Sequence, residues 1–330
     1  MVVATREEER AGHLWHGVLH CSNRACWMEF PVIDGVPLLV PDPAELLKTQ
    51  ATNALYRTDL PPVVSSIVGD ATGPGENFDT QRYHLSLYGT AHFADWGLGG
   101  ESGIASLMEW GLDRLKAASV PTGAPCLDLG GSVGRGGWEL SARCGQPSIV
   151  ADLNLSMLRF GQSLALEGEA SLAVRRVGLV YDDVPIRVPD GFADTAPEFW
   201  AVDAAALPFA MGAFGVCAGI NLVDCTAAPA NVITELSRVT AMGGGAVVVT
   251  PHDWSPQATG FGQWLGGHSQ RGPWAGAPEP VLRATLESAG LAPVAEEMDL
   301  PWVLRLHARA RMTYSTHALA CRRADTAAAA

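Results

Sequence analysis

The sequence predicts an α/β fold: a doubly wound, mostly parallel sheet with an antiparallel hairpin at its C-terminal edge, preceded by a small β-rich module. Three observations lead there. From Pro125 onward, short apolar runs bounded by Gly, Pro or polar residues recur as buried parallel strands do: APCLDLG (124–130), PSIVADL (147–153), GVCAGINL (215–222) and GGAVVVTP (244–251). Helix-like segments, GWELSARC, SMLRFGQSLALEG and PANVITELSRVT, lie between them, which is the alternation of right-handed strand–helix–strand units. After a last helix, PEPVLRATLESAG (278–290), two strand candidates follow without a helix, 292–305 and 313–322, and these are expected to pair as the edge hairpin.

In chain order, residues 13–41 read as a compact unit in which Asp34-Gly35 turns between two apolar strands, giving a ribbon-like module over 1–42. Residues 44–57 look helical, and Pro61-Pro62 with the Gly/Pro-rich 70–79 mark a linker. Gln81–Trp96 carries Tyr83, His84, Tyr88 and His92 at helical spacing, followed by a stronger amphipathic helix at 101–120. The whole of 43–120 is expected to be a helical linker whose 81–96 part covers a bound ligand, with the main domain at 121–323. Within that domain 172–189 reads as a β-hairpin around Tyr181-Asp182-Asp183, and 324–330 as a disordered tail.

Composition narrows the partners. Of 330 residues, 48% are apolar and 17% charged, and no apolar run approaches a membrane span, which needs about 18 residues. The N-terminus has neither the basic start nor the apolar stretch of a secretory signal, so a cytoplasmic protein is expected. The odd count of seven cysteines suggests no disulfide framework, and Cys126, Cys144, Cys217, Cys225 and Cys321 read as small core residues. A formal charge of −13 repels polyanions and argues against nucleic acid. A homodimer is left open.

The chemistry concentrates in CLDLGGSVGRGGWELSA (126–142). A strand ends at Asp128-Leu129, a turn with Gly130 and Gly134 follows, and a helix begins near Arg135, an arrangement that lets a ligand approach the backbone. Asp152 lies 18 positions after Gly134 at the end of the second strand, where such folds place the carboxylate that accepts from ribose hydroxyls. Asp203, ahead of Leu207-Pro208-Phe209, suits an adenine amino group, and INLVDC (220–225) puts Asn221 and Asp224 at the carboxyl edge of the sheet.

Together, DLGGSVGR, ADLN, VDAAALPF, GINLVD and TAMGGGAVVVTP resemble the motifs of class I S-adenosylmethionine-dependent methyltransferases over about residues 125–251. That resemblance implies a Rossmann-like fold, S-adenosyl-L-methionine as cofactor and S-adenosyl-L-homocysteine as product. It implies a cofactor site of Tyr83, Asp128, Gly130, Ser132, Gly134, Arg135, Asp152, Leu153, Asp203, Ala204, Asn221 and Leu222. Ser132 departs from the family's glycine. The stretches 250–267 and 299–323, with GRGGWELSA, are similar to the methyltransferase domain of mercaptohistidine N-methyltransferases of ovothiol biosynthesis. This implies a small, imidazole- or amino-acid-derived acceptor. LHCSNRACWMEFPVIDGVPLLV resembles half of the small zinc-ribbon proteins that partner some methyltransferases. The first cysteine pair is missing and Cys21 and Cys26 have x4 rather than x2 spacing, so no zinc is expected.

Methyl transfer from a sulfonium needs alignment, desolvation and sometimes deprotonation, and no nucleophilic side chain. Tyr88, Asp224 and His252 are the candidates for that work. His92, Trp254, Trp264 and His268 are candidates to wall the acceptor, with Trp274 and Trp302 sharing the roof and 254–275 closing the pocket. Arg305 and Arg309 would receive a carboxylate. Two alternatives stand beside this: a protein methyltransferase with an open cleft, and a catalytically silent binding partner of methyltransferase fold.

Overall fold

A computed structural model of the chain describes residues 2–23, 25–26, 28–52, 56–57 and 60–324. The first strands, β1 (Val2–Arg10), β2 (His13–His20), β3 (Glu29–Ile33) and β4 (Val36–Pro37), form a four-stranded antiparallel sheet. Asp34 and Gly35 both have positive φ, 49° and 77°, the conformation of a two-residue hairpin turn. Strand β1 was not expected, because TREEER carries no apolar alternation; it is an edge strand, where charge is tolerated and discourages further pairing. The module joins the main sheet directly. Leu38 bridges Ala201 in parallel and the Leu39 N–H donates to the Ala201 carbonyl at 2.8 Å.

Helix α1 (Pro43–Thr49) starts at Asp42, whose carboxylate accepts from the Glu45 N–H at 2.9 Å. The helix expected over 44–57 is interrupted at Gln50 and residues 51–52 are helical again; residues 53–55 lie outside those described. Pro61-Pro62 does not break structure but opens one, since helix α2 (Pro62–Thr72) places proline in its first turn, where no N–H is needed. Helix α3 (Asn77–Phe93) and helix α4 (Gly103–Ala117), N-capped by Ser102, follow as expected for 81–96 and 101–120.

The main sheet has seven strands. Those from the strand–helix units are β5 (Cys126–Leu129), β6 (Ser148–Asp152), β9 (Glu198–Ala201), β10 (Phe214–Ile220) and β11 (Thr240–Thr250), all parallel. The helices between and after them are α5 (Arg135–Cys144), α6 (Leu155–Glu167), α7 (Pro229–Val239) and α8 (Pro278–Ser288). Strand β12 (Leu291–His307) and the antiparallel β13 (Ala310–Arg323) make the C-terminal hairpin, with β13 lying between β11 and β12. The hairpin β7 (Glu169–Val177) and β8 (Val180–Arg187) stands apart as a two-stranded sheet on α3. It turns at Gly178-Leu179, so Tyr181–Asp183 belong to its second strand rather than to its tip. Gly89 of α3 lacks the Cβ that would come within 2.6 Å of Leu172, which lets the hairpin seat closely. Residues 325–330, most of the expected tail, lie outside those described.

Side chains alternate across β11: Val247 and Val249 join Leu107, Met108 and Leu112 of α4, whereas Ala246 and Val248 join Ile233 and Leu236 of α7 and Leu282 and Leu286 of α8. A strand buried on both faces reads as one apolar run, which is why these strands are legible. The sheet order β9-β6-β5-β10-β11-β13-β12 reverses direction between β5 and β10. In open α/β sheets, ligands bind outside the carboxyl ends of the strands at such a reversal. Among the described residues no helix is long and apolar enough to cross a membrane, and no group of three or more His, Cys, Asp or Glu is placed to hold a metal ion.

Candidate active site

The turn after β5 is built by conformation and close packing. Gly130 and Gly134 have φ of 72° and 99°, and a Cβ there would come within 2.7 Å of Leu222 and 2.5 Å of Phe199. These glycines therefore serve the turn's own packing as well as any ligand. At the neighbouring strand end, Asp152 accepts the Ser132 N–H on Oδ2 at 2.9 Å and the Asn154 N–H on Oδ1 at 2.8 Å. Each carboxylate oxygen keeps a second lone pair. Burial pushes the Asp152 carboxyl upward, while these N–H groups oppose the shift.

Asp152 opens onto a cavity of about 210 Å³ at the reversal point. Gly130, Ser132, Asn154 and Met157 line its β5–β6 side, and Tyr88, His92, Ile104, Ile220, Asn221, Leu222, Cys225 and Trp302 line the rest. Three neighbouring strands, β5, β10 and β11, are each followed by a non-glycine residue in the left-handed region: Ser132 (52°), Asn221 (52°) and His252 (56°). Such strain costs on the order of 1–3 kcal/mol per residue and collects at functional sites. Two of the three carry an unmet need. Both amide atoms of Asn221 and the Ser132 hydroxyl are buried without a hydrogen-bond partner, and both residues line the cavity.

His92 is buried in the cavity wall. Burial, reinforced by Arg135, lowers its pKa to about 3, and its Nδ1 accepts the Arg135 backbone N–H at 3.3 Å. The ring is thus neutral with its proton on Nε2. Arg135 does not reach the cavity. Its guanidinium is 3% exposed, donates to both oxygens of Asp95 (2.6 and 2.9 Å) and twice to Oε1 of Glu139 (3.0 and 2.9 Å), and lies 4.6 Å over the Trp96 ring. It fastens the end of α3 to α5. Asp128 is also beneath the turn rather than in the cavity, since a Cβ on Gly131 or Gly136 would come within 2.4 or 2.5 Å of its Oδ2. Burial and then Asp152 push its carboxyl up to about 7.

Asp224, next to cavity-lining Cys225, was expected to act on the acceptor but does not itself line the cavity: it is 1% exposed, accepts the Asp253 N–H on Oδ2 at 2.8 Å and lies against the Thr250 hydroxyl. Burial pushes its carboxyl up to about 6. Asp253 accepts the Tyr314 hydroxyl at 3.0 Å, and the Tyr314 ring stacks on Trp302 at 5.3 Å. Tyr88 is pushed up to about 12, by burial first and then by Cys225, Asp152 and Asp224. Asn154, Met157, Ile104, Ile220 and Cys225 line the cavity and were not among the expected site residues; Cys225, read from the sequence as a core residue, is exposed there. Asn154 had a signal, as a helix N-cap directly after Asp152.

Several expected residues lie elsewhere. The His252 ring turns to the other face of the sheet, where Nε2 meets His317 Nδ1 at 3.1 Å and His317 Nε2 meets Glu296 at 2.9 Å. His317 shares that face with Leu319 and Cys321, under α8, whereas the alternate residues Tyr314 and Ala318 face α4. Tyr83 lies under the Arg175 guanidinium at 4.8 Å, against β7. Asp203 caps its own turn through the Ala205 N–H at 2.8 Å; neither it nor Ala204 lines the cavity, and Leu153 is 37% exposed just outside. Trp254 and Trp264 stack at 6.1 Å in and against the core beneath α7 and α8, and His268 lines a separate cavity of about 210 Å³. On β12, Trp302 and Leu304 point inward, so Arg305 points away by strand alternation, and Arg309 sits at the exposed hairpin tip.

Neither a protein family nor a curated protein matches this sequence. Solved structures of similar fold include a protein from Galdieria sulphuraria assigned as a sarcosine dimethylglycine methyltransferase, with TM-score 0.49, 12% identity, and coverage of 75% of this chain and 99% of that one. A magnesium protoporphyrin IX methyltransferase from Synechocystis PCC 6803 with bound S-adenosylhomocysteine gives TM-score 0.43 and 15% identity, over 74% of this chain and 98% of that one. A geranyl diphosphate methyltransferase in complex with S-adenosylmethionine gives TM-score 0.44 and 16% identity, over 66% and 85%. These are likenesses of fold.

Proposed function

We propose that the chain binds S-adenosyl-L-methionine in the crevice between β5 and β10 and methylates nitrogen or sulfur of a small molecule. One observation carries this reading: a carboxylate, Asp152, pinned by two backbone N–H groups at a strand end, with a free lone pair on each oxygen facing a cavity. That geometry suits two adjacent ribose hydroxyls. The unpartnered Ser132 hydroxyl and Asn221 amide would serve the polar amino-acid end of the cofactor. The residues present therefore fit the group.

A dinucleotide fits less well. Among the described residues no Lys or Arg lines the cavity, and the first N–H of α5, from Arg135, is already given to His92 rather than free for a pyrophosphate. When bound, the sulfonium cofactor supplies an electrophilic methyl group. The chain's own part is to orient and to exclude water, with Tyr88, Ile104, Ile220 and Trp302 walling the far end. At about 210 Å³ the cavity is smaller than usual ligand clefts, which hold roughly 300–1,000 Å³. The outer part of the cofactor would therefore extend past Leu153 toward Asp203 and Ala204.

Calorimetry with S-adenosylmethionine, S-adenosylhomocysteine and NAD tests this. The first two should bind and NAD should not; NAD binding without either sulfur ligand overturns the proposal. Labelled cofactor offered to small amines, imidazoles and thiols beside peptides then tests the acceptor class, and labelling of peptides alone overturns the small-molecule reading.

A further inference from the structure

We propose that Cys21 and Cys26 are a covalent modification site on the N-terminal module: Cys21 attacks a low-molecular-weight disulfide, and Cys26 resolves the product into a reversible Cys21–Cys26 bridge. The proposal stands independently of the methyltransferase reading.

The module brings the two thiols together where β2 and β3 part. Their ladder ends at His20 and Glu29, and the Cys21 N–H still donates to the Met28 carbonyl at 3.3 Å. Between those points the Cys26 N–H donates to the Asn23 carbonyl at 2.9 Å and the Ala25 N–H to the Asn23 side chain at 3.0 Å, which folds the chain back on itself. The Cys26 thiol thereby comes to lie against the Cys21 sulfur. Both residues are half-buried, so small reagents reach them. Among the described residues no third His, Cys, Asp or Glu joins them to hold a metal ion, and the partner each thiol has is the other.

The pair is unequal. The Asn23 N–H and then the Cys26 thiol donate to the Cys21 sulfur, and they hold its thiol below the usual value, with burial opposing them only weakly. The thiolate is the attacking species in disulfide exchange. The other cysteines are placed differently. Burial pushes Cys217 and Cys321 each up to about 12, and Cys225 is pushed up to about 12 by desolvation, then by Asp224 and Asp253. Cys126 and Cys144 also meet, but Cys126 is 0% exposed at the start of β5, and Cys144 and burial push its thiol far up. In the reaction, the Cys21 thiolate attacks one sulfur of glutathione disulfide; a new S–S bond forms as the old one breaks, and one glutathione leaves as thiolate. Cys26 gives its proton to that thiolate and attacks the Cys21 sulfur, so the Cys21–Cys26 bond forms and the second glutathione leaves. The chain is oxidised, and the small disulfide is reduced to two thiols.

The test is mass spectrometry with peptide mapping on the full chain after incubation with glutathione disulfide. The parent should become lighter by two hydrogens and carry its bridge at Cys21–Cys26, and excess reduced glutathione should restore both thiols. Cys26→Ser should instead accumulate a glutathione adduct on Cys21, whereas Cys21→Ser should be modified at Cys26 at least tenfold more slowly. A reading that needs no variant is limited labelling of the reduced parent with iodoacetamide, in which Cys21 should react at least fivefold faster than any other cysteine. No bridge in excess glutathione disulfide, a bridge at Cys126–Cys144 in place of this one, or Cys26 as the faster thiol overturns the proposal.

Discussion

The Ser132 backbone N–H donates to Asp152 Oδ2 at 2.9 Å, and this bond ties the turn after β5 to the carboxyl end of β6. Cofactor recognition and turn geometry are thus one device. Asp152→Asn retains the shape but replaces a charged acceptor by a neutral one and puts a donor where ribose hydroxyls would donate. Hydrogen bonds to charged groups contribute about 1.5–3 kcal/mol, so S-adenosylhomocysteine should bind roughly ten- to hundredfold more weakly, by calorimetry, with the unliganded melting temperature less affected. An unchanged dissociation constant would remove Asp152 from the site.

Asn221 makes the opposite trade. At φ 52° with both amide atoms buried and unpartnered, it is held in place at a cost to stability. Asn221→Gly removes both the strain and the unmet polar group, so the unliganded protein should gain about 1 kcal/mol in denaturant melts. The affinity for S-adenosylhomocysteine should fall at least fivefold in the same variant. A loss of stability together with unchanged binding would mean that the residue is structural.

What was legible followed from local causes. Strands β5, β6, β10 and β11 are buried on both faces and read as apolar runs, and Asp152 was placed because it ends such a strand 18 positions after Gly134. What was hidden depended on the side to which a residue turns. His252 follows its strand as Asn221 does, but its ring meets His317 across the sheet, a contact 65 positions distant in sequence. Arg305 was expected at the acceptor by resemblance and by its charge, yet it sits on the face of β12 opposite Trp302. Arg135 looked like a ligand residue until Asp95, 40 positions earlier, supplied its partner.

Asp128 gives the stability a pH dependence. Its carboxyl is pushed up to about 7 by burial and Asp152, against about 3.9 in an unfolded chain. The folded state therefore binds the proton more tightly. This contribution is fully present below the unfolded value and is lost as pH rises through about 7, with a total on the order of 4 kcal/mol. Asp128→Asn cannot ionise, so its melting temperature relative to the parent should rise from about pH 4 to about pH 7 and level off above that. A difference that is constant across that range would show that Asp128 titrates normally.

His252 should be silent in binding and visible in acid. Its ring lies on the α8 face, so His252→Gln should leave the affinity for S-adenosylhomocysteine and the rate of methyl transfer within twofold. Burial, then His317, lowers its pKa to about 4, whereas the unfolded residue titrates near 6.5, about the usual value. Between these values the unfolded chain holds more protons, so the stability contribution is present above the unfolded value and is lost as pH falls toward about 4. His317 is lowered in the same direction, by burial. Replacing His252 with glutamine removes one such group, and the decline in melting temperature between pH 6.5 and pH 4 should become shallower. If His252→Gln instead abolishes methyl transfer while binding is intact, the imidazole works on the cavity side and the division of labour between the two faces of the sheet is wrong.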